Sequence, residues 1–88
     1  MNDKLNLFFE YLTVELGVAS NTRLAYERDL RLFKEALGLK DNDALATVSR
    51  EQVIRYMTGL KNKGLAAATI ARKLAAIKSF YRFMTAEG

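Results

Sequence analysis

Two groups of side chains carry the chemistry available to this sequence. The first is Ser20-Asn21-Thr22-Arg23, where two hydroxyls, an amide and a cation sit together at a predicted helix start. Free backbone N–H groups at such a start, with those side chains around them, suit a phosphate or a base edge. Ordinary capping is an equally good use of the same cluster and needs only one of its side chains, so both uses stand open. The second group is Arg72, Ala75, Ser79 and Arg82, which a helical wheel places away from the apolar line of the last predicted helix. Small residues between two guanidinium groups make a face that can enter a groove, since an α-helix fits the major groove of B-DNA and Arg reads guanine edges there. A solvated basic face is the plainer use of the same residues.

Enzyme chemistry has no support. With no cysteine and no histidine among the 88 residues, disulfides, Cys/His zinc sites and His- or Cys-based mechanisms are excluded. No pair of carboxylates is spaced for acid/base work, and the five glycines read as helix stops and links rather than a phosphate cradle. Asp29 falls on the inward half of its helix, where an ionised carboxylate needs a partner. It is expected to be structural, in a salt bridge or as a cap on another helix, with the start of the fourth helix as one candidate. Tyr26 is expected to be a core aromatic with its hydroxyl at the edge.

Four helices have to position these groups. Leu5, Phe8, Phe9, Leu12 and Leu16 recur at spacings of three and four before Gly17, predicting a helix over roughly 3–16. Ser20 as N-cap and Tyr26, Leu30, Phe33 and Leu37 as a stripe predict a second over 21–37, ended by Gly38. Residues 38–48 form the longest break, with a short helical turn around 43–46 and Leu45 and Val48 available to pin it. Ser49 with Gln52 predicts a capping box opening a third helix over 50–63, whose stripe is Val53, Met57 and Leu60 and whose stop is Gly64. Ile70, Leu74, Ile77, Tyr81 and Met84 predict the core line of a fourth helix over 67–86, which leaves Phe80 and Phe83 exposed. Ala66, Ala67 and Ala68 stand where its cap would be.

The total absence of proline fits this all-α reading, and half of the residues are apolar, enough to fill one small core without staples. No internal repeat or linker divides residues 1–88, so a single domain is expected. The net charge of +4 is unevenly spread: residues 1–48 hold six Lys/Arg against eight Asp/Glu, whereas residues 49–88 hold eight against two. No acid lies between Glu51 and Glu87, and that asymmetry favours a polyanionic partner. Without a signal-like start or a long apolar run, the protein is expected to be soluble and cytoplasmic, with no membrane partner.

Two motifs then resemble a known family. Ser20-Asn21-Thr22-x-x-x-Tyr26-x-x-Asp29-Leu30-x-x-Phe33 is similar to the first signature of the N-terminal domain of Xer-type tyrosine recombinases, the phage integrase class. Gly64-Leu65-x-x-x-Thr69-Ile70-x-Arg72-Lys73-Leu74-x-Ala76-Ile77-Lys78-Ser79-Phe80-Tyr81-x-Phe83 resembles the last helix of the same domain. The resemblance implies an all-α, SAM-like core-binding domain of four helices arranged as two crossed hairpins in an orthogonal bundle. It implies double-stranded DNA as partner, met in the major groove by the second and fourth helices. The residues it points to are Asn21, Thr22 and Arg23, then Thr69, Arg72, Lys73 and Lys78, with Arg82 added from the basic face.

It further implies a catalytic domain beyond this chain and other recombinase protomers on the DNA as partners, with no cofactor, metal or small-molecule substrate. The family's catalytic Arg, Lys, His and nucleophilic Tyr belong to that other domain, so Tyr11, Tyr26, Tyr56 and Tyr81 are not expected to act as nucleophiles. The sequence is accordingly expected to be a domain of a longer protein. Ala66 to Ala68 depart from the Ser or Pro often found there in the family. A helical protein-contact module, using Phe80, Phe83 and the first helix, is the alternative function.

Overall fold

The computed structural model describes residues 4–87. The described residues are 81% helical, the 3₁₀ segment included, and no strand occurs among them. Helices α1 (Lys4–Val14), α2 (Ser20–Ala36), α3 (Arg50–Asn62) and α4 (Ala67–Glu87) are joined by short links and a 3₁₀ segment, Asn42–Thr47. The expected start of the first helix at residue 3 lies outside the described residues. Neighbouring helices pair as α1 with α2 and α3 with α4, and the two pairs are locked together chiefly by α2 against α4.

Leu5, Phe8 and Leu12 of α1 and Leu30 and Phe33 of α2 meet Ala76, Ile77 and Phe80 of α4 in one buried cluster, closed by Leu45 from the 3₁₀ segment. Phe8 lies at the centre of an aromatic set, with Phe80 edge-on at 5.5 Å and Phe83 at 5.6 Å. Phe33 holds the α3 side through Tyr56, edge-on at 5.1 Å.

Local signals set several boundaries. Gly17 turns the chain at φ +60°, a conformation that costs other residues steric strain, and lets α2 begin three residues later. At α3 the capping box is complete: Ser49 Oγ accepts from the Gln52 N–H at 3.1 Å, and Gln52 Oε1 accepts from the Ser49 N–H at 2.8 Å. The 3₁₀ segment is capped by Asp41, which accepts from the Ala44 N–H at 2.9 Å, and Leu45 within it is fully buried.

Four expectations fail. Ser20 is not the N-cap of α2; the cap position is Ala19, which offers no side-chain acceptor, and Ser20 is the first helical residue. Val18 packs against the core and donates its N–H to Leu12 O, and α2 begins one residue earlier than expected. Leu16 is 55% exposed because α1 stops at Val14 and the helical period no longer aims it inward. Phe80 is fully buried, and Phe83 is packed against Phe8 and Tyr11 rather than exposed. Lys73 is buried too, at 6% exposure, because α4 is rotated a fraction of a turn so that Lys73, Ala76, Ile77 and Phe80 face inward. Leu74 and Tyr81 then fall half-buried on the side that meets α3.

Candidate nucleic-acid interface

The contact between α2 and α4 is organised by one carboxylate. Asp29 is buried, with a side chain at 0% exposure, and receives three hydrogen bonds. Arg72 donates from Nε to Oδ2 and from Nη2 to Oδ1, both at 2.9 Å, and Lys73 donates from Nζ to Oδ1 at 3.1 Å. Burial alone pushes the Asp29 carboxyl up, but the hydrogen bonds and charges of Arg72 and Lys73 outweigh it and hold it below its ordinary value. The same pairing raises the Arg72 pKa. Asp29 is therefore a salt-bridge acceptor, as one of the two structural expectations had it, and its partners lie on the second turn of α4 rather than at its start.

The two cations differ in what remains free. Lys73 is enclosed, with its ammonium bound to Asp29 inside the fold rather than presented on the outer surface where the resemblance had it among the DNA-facing residues. Arg72 keeps 41% of its side chain exposed. Its Nη1 has no partner among the described residues, and two-point pairing leaves the far edge of the guanidinium available.

The outward face of α4 continues from there. Ala68, Ala71, Ala75, Lys78 and Arg82 are exposed, while Thr69 and Ser79 are half-buried. Spacings of three and four put Ala71, Ala75, Lys78 and Arg82 on one stripe. Across the chain, Arg50, Arg55, Lys61 and Lys63 on and after α3 are exposed as well.

On α2, Asn21 and Thr22 are exposed and Arg23 is half-buried. Thr22, Ala25 and Asp29 fall on one stripe, so the first turn of α2 extends that face beyond the bridge to α4. Arg23 pairs with Glu27 one turn on, and Glu27 also meets Arg31 at 3.4 Å. With Ala19 as cap, the first N–H groups of α2 receive no side-chain acceptor. Tyr26 is half-buried against the core, close to expectation.

The structure thus joins Arg72 and Lys73 through Asp29, leaves Thr22, Asn21, Lys78 and Arg82 open to solvent, and takes Lys73 out of the surface. Sequence reading missed the three-way bridge, although Asp29 and the adjacent pair Arg72-Lys73 were each visible. Among the described residues no group of acidic or other ligating side chains is arranged to hold a metal ion, and no helix is long and apolar enough to cross a membrane.

Comparison with known proteins agrees with this architecture. Residues 5–88 match the family model described as phage integrase, N-terminal SAM-like domain. The chain is 39% identical to tyrosine recombinase XerC of Herpetosiphon aurantiacus over 96% of its own length and 28% of that protein. It is 34% identical to XerC of Roseiflexus sp. over its whole length and 28% of the relative, and 36% identical to XerD of Listeria monocytogenes serotype 4b over its whole length and 30% of the relative. The chain therefore spans less than a third of these relatives, and the catalytic part of tyrosine recombinases lies outside the matched segment. No solved structure gives a significant match.

Proposed function

The chain belongs to the phage integrase N-terminal SAM-like domain family, and from that premise we propose that it is the DNA-binding core-binding domain of a tyrosine recombinase. In this reading α4, with the first turn of α2, is laid against duplex DNA in the major groove. The observation that carries it is the exposed, acid-free outer face of α4, where Lys78 and Arg82 stand beside alanines small enough for close approach. In this reading Arg72 supplies the remaining cation at the α2 edge, and Asn21, Thr22, Arg23 and Thr69 supplement it. A catalytic domain of the same recombinase and neighbouring protomers on the DNA complete the partners, in a cytoplasmic setting.

Fluorescence anisotropy with a labelled duplex tests this at two salt concentrations. Neutralising about five phosphates gives a log-log slope of roughly −4. Lys78→Glu with Arg82→Glu is expected to weaken binding by roughly tenfold or more at low salt while the thermal melt stays unchanged. A flat salt response, or charge reversal without effect, would overturn the proposal. Reversing Arg72 and Lys73 is a poor test, because it places new acids around buried Asp29 and confuses binding with folding.

A second reading has its own observation. Val14 and Leu16, 80% and 55% exposed, border a groove of about 570 Å³ lined by Tyr11, Arg82 and Phe83, a surface suited to a protein contact. Val14→Ser with Leu16→Ser would abolish such a contact and leave DNA affinity untouched.

A further inference from the structure

We propose that Asp29 is a positioning residue for DNA recognition: from beneath α4 it holds one edge of the Arg72 guanidinium, so that the opposite edge stands ready for a pair of hydrogen-bond acceptors on DNA. The inference rests on the DNA-binding reading above and assigns a role inside it.

A guanidinium offers two forked edges, one made by Nε with one terminal nitrogen and the other by the two terminal nitrogens. Asp29 fills the first completely, with Nε and Nη2 both at 2.9 Å from its oxygens. What remains is the end fork, Nη1 and the second N–H of Nη2, on a side chain that is 41% exposed. Because Asp29 itself is fully enclosed, its carboxylate cannot swing out to follow the arginine; the arginine is held to the helix pair instead. The rotamer freedom of a surface Arg is thereby lost on folding rather than on binding, which is preorganisation.

Lys73 completes the device. Alone, Asp29 would cancel the Arg72 charge and leave a neutral pair facing a polyanion. Lys73 Nζ, buried at 3.1 Å from the same carboxylate, supplies a second positive charge from inside. The three groups together keep one net positive charge, and the exposed member is Arg72. An end fork of this kind matches either guanine O6 with N7 in the major groove or two oxygens of a phosphate. Both are paired acceptors on the same duplex.

The test uses this chain carrying Asp29→Asn with Lys73→Met. That double change keeps the net charge, leaves no unpaired buried ammonium and loosens the Arg72 tether. Unsubstituted and double-variant chains are each taken through selection from a pool of randomised duplexes, with anisotropy titrations against the pool at two salt concentrations. Tethering is read separately from the Arg72 Nε–Hε resonance, which should be sharp and slowly exchanging in the unsubstituted chain and broadened in the variant.

If Arg72 reads guanine, the variant loses preference for guanine at one position of the selected site. If it grips a phosphate, the variant binds all sequences about three- to tenfold more weakly with unchanged base preference. Either result supports the proposal. Equal affinity and equal base preference in the two chains would overturn it while leaving the DNA-binding reading intact, whereas failure of the unsubstituted chain to bind any duplex would overturn both. Should the double variant not fold, Arg72→Lys replaces it: charge and a contact to Asp29 persist but the fork is gone, so the same losses are expected and undiminished binding overturns the proposal.

Discussion

The phenolic hydroxyl of Tyr81 donates a 2.7 Å hydrogen bond to the carbonyl oxygen of Leu45, fastening the 3₁₀ segment to the middle of α4. Leu45 is fully buried, so the bond holds the long connection between α2 and α3 at the point where its side chain enters the core. Tyr81→Phe is expected to cost about 1–2 kcal/mol, the hydrogen bond plus a carbonyl left unpaired, read from the urea midpoint. Burial pushes the Tyr81 phenol up to about 12. In the unfolded chain the phenol titrates near 10. A group whose folded pKa is raised contributes stability that is complete below the unfolded value and lost as pH rises through the folded one. Stability should therefore begin to fall above about pH 10, and Tyr81→Phe should flatten that alkaline decline.

At the acid end the controlling group is Asp29, whose folded pKa is lowered. Its contribution is present above the unfolded carboxylate value of about 3.9 and disappears as pH falls through the folded value. Urea midpoints should hold from neutral pH down to about pH 4 and drop below it, and Asp29→Asn should remove much of that acid limb. Asp29→Ala at neutral pH leaves the Lys73 ammonium buried without a counter-charge, at an expected cost of about 3–5 kcal/mol. Adding Lys73→Met to it should restore most of the loss, a coupling that a double-mutant cycle would measure.

Phe80 and Leu16 make a contrasting pair. Phe80 is fully buried against Phe8, and Phe80→Ala is expected to destabilise by about 3–5 kcal/mol. Leu16, more than half exposed, should tolerate alanine within about 0.5 kcal/mol. A small loss at Phe80 would contradict the phase of α4, and a large one at Leu16 the end of α1 at Val14.

The two serines at helix starts form another contrast. Ser49 closes a reciprocal capping box, so Ser49→Ala should lower stability by about 1 kcal/mol. Ser20 lies one residue inside α2 and caps nothing, so Ser20→Ala should change the melt by no more than about 0.5 kcal/mol.

What the sequence revealed follows the range of the interactions involved. The capping box of Ser49 and Gln52, the stops at Gly17, Gly38 and Gly64 and the turn carrying Leu45 depend on a few adjacent residues, and all were legible. The phase of α4 was not. Its apolar residues spread around much of the helix, so Ile70, Leu74 and Tyr81 offered one stripe and Ala76 and Phe80 another. The observed phase buries Ala76, Ile77 and Phe80 and pairs Lys73 with Asp29, 44 positions away, contacts that no local pattern reveals. Of the candidate site, Thr22, Lys78 and Arg82 emerged exposed as the pattern implied, while Lys73 was lost to the interior.

That α4 touches α1, α2 and α3 alike bears on how the domain comes into being on the ribosome. The helix delivered last of the four is the one on which the others converge. While α1 and α2 emerge, Phe8 lacks Phe80 and Phe83, Phe33 lacks Tyr56, and Asp29 lacks both of its cations. The native core around Phe8 therefore cannot close before residues through Phe83 have cleared the exit tunnel.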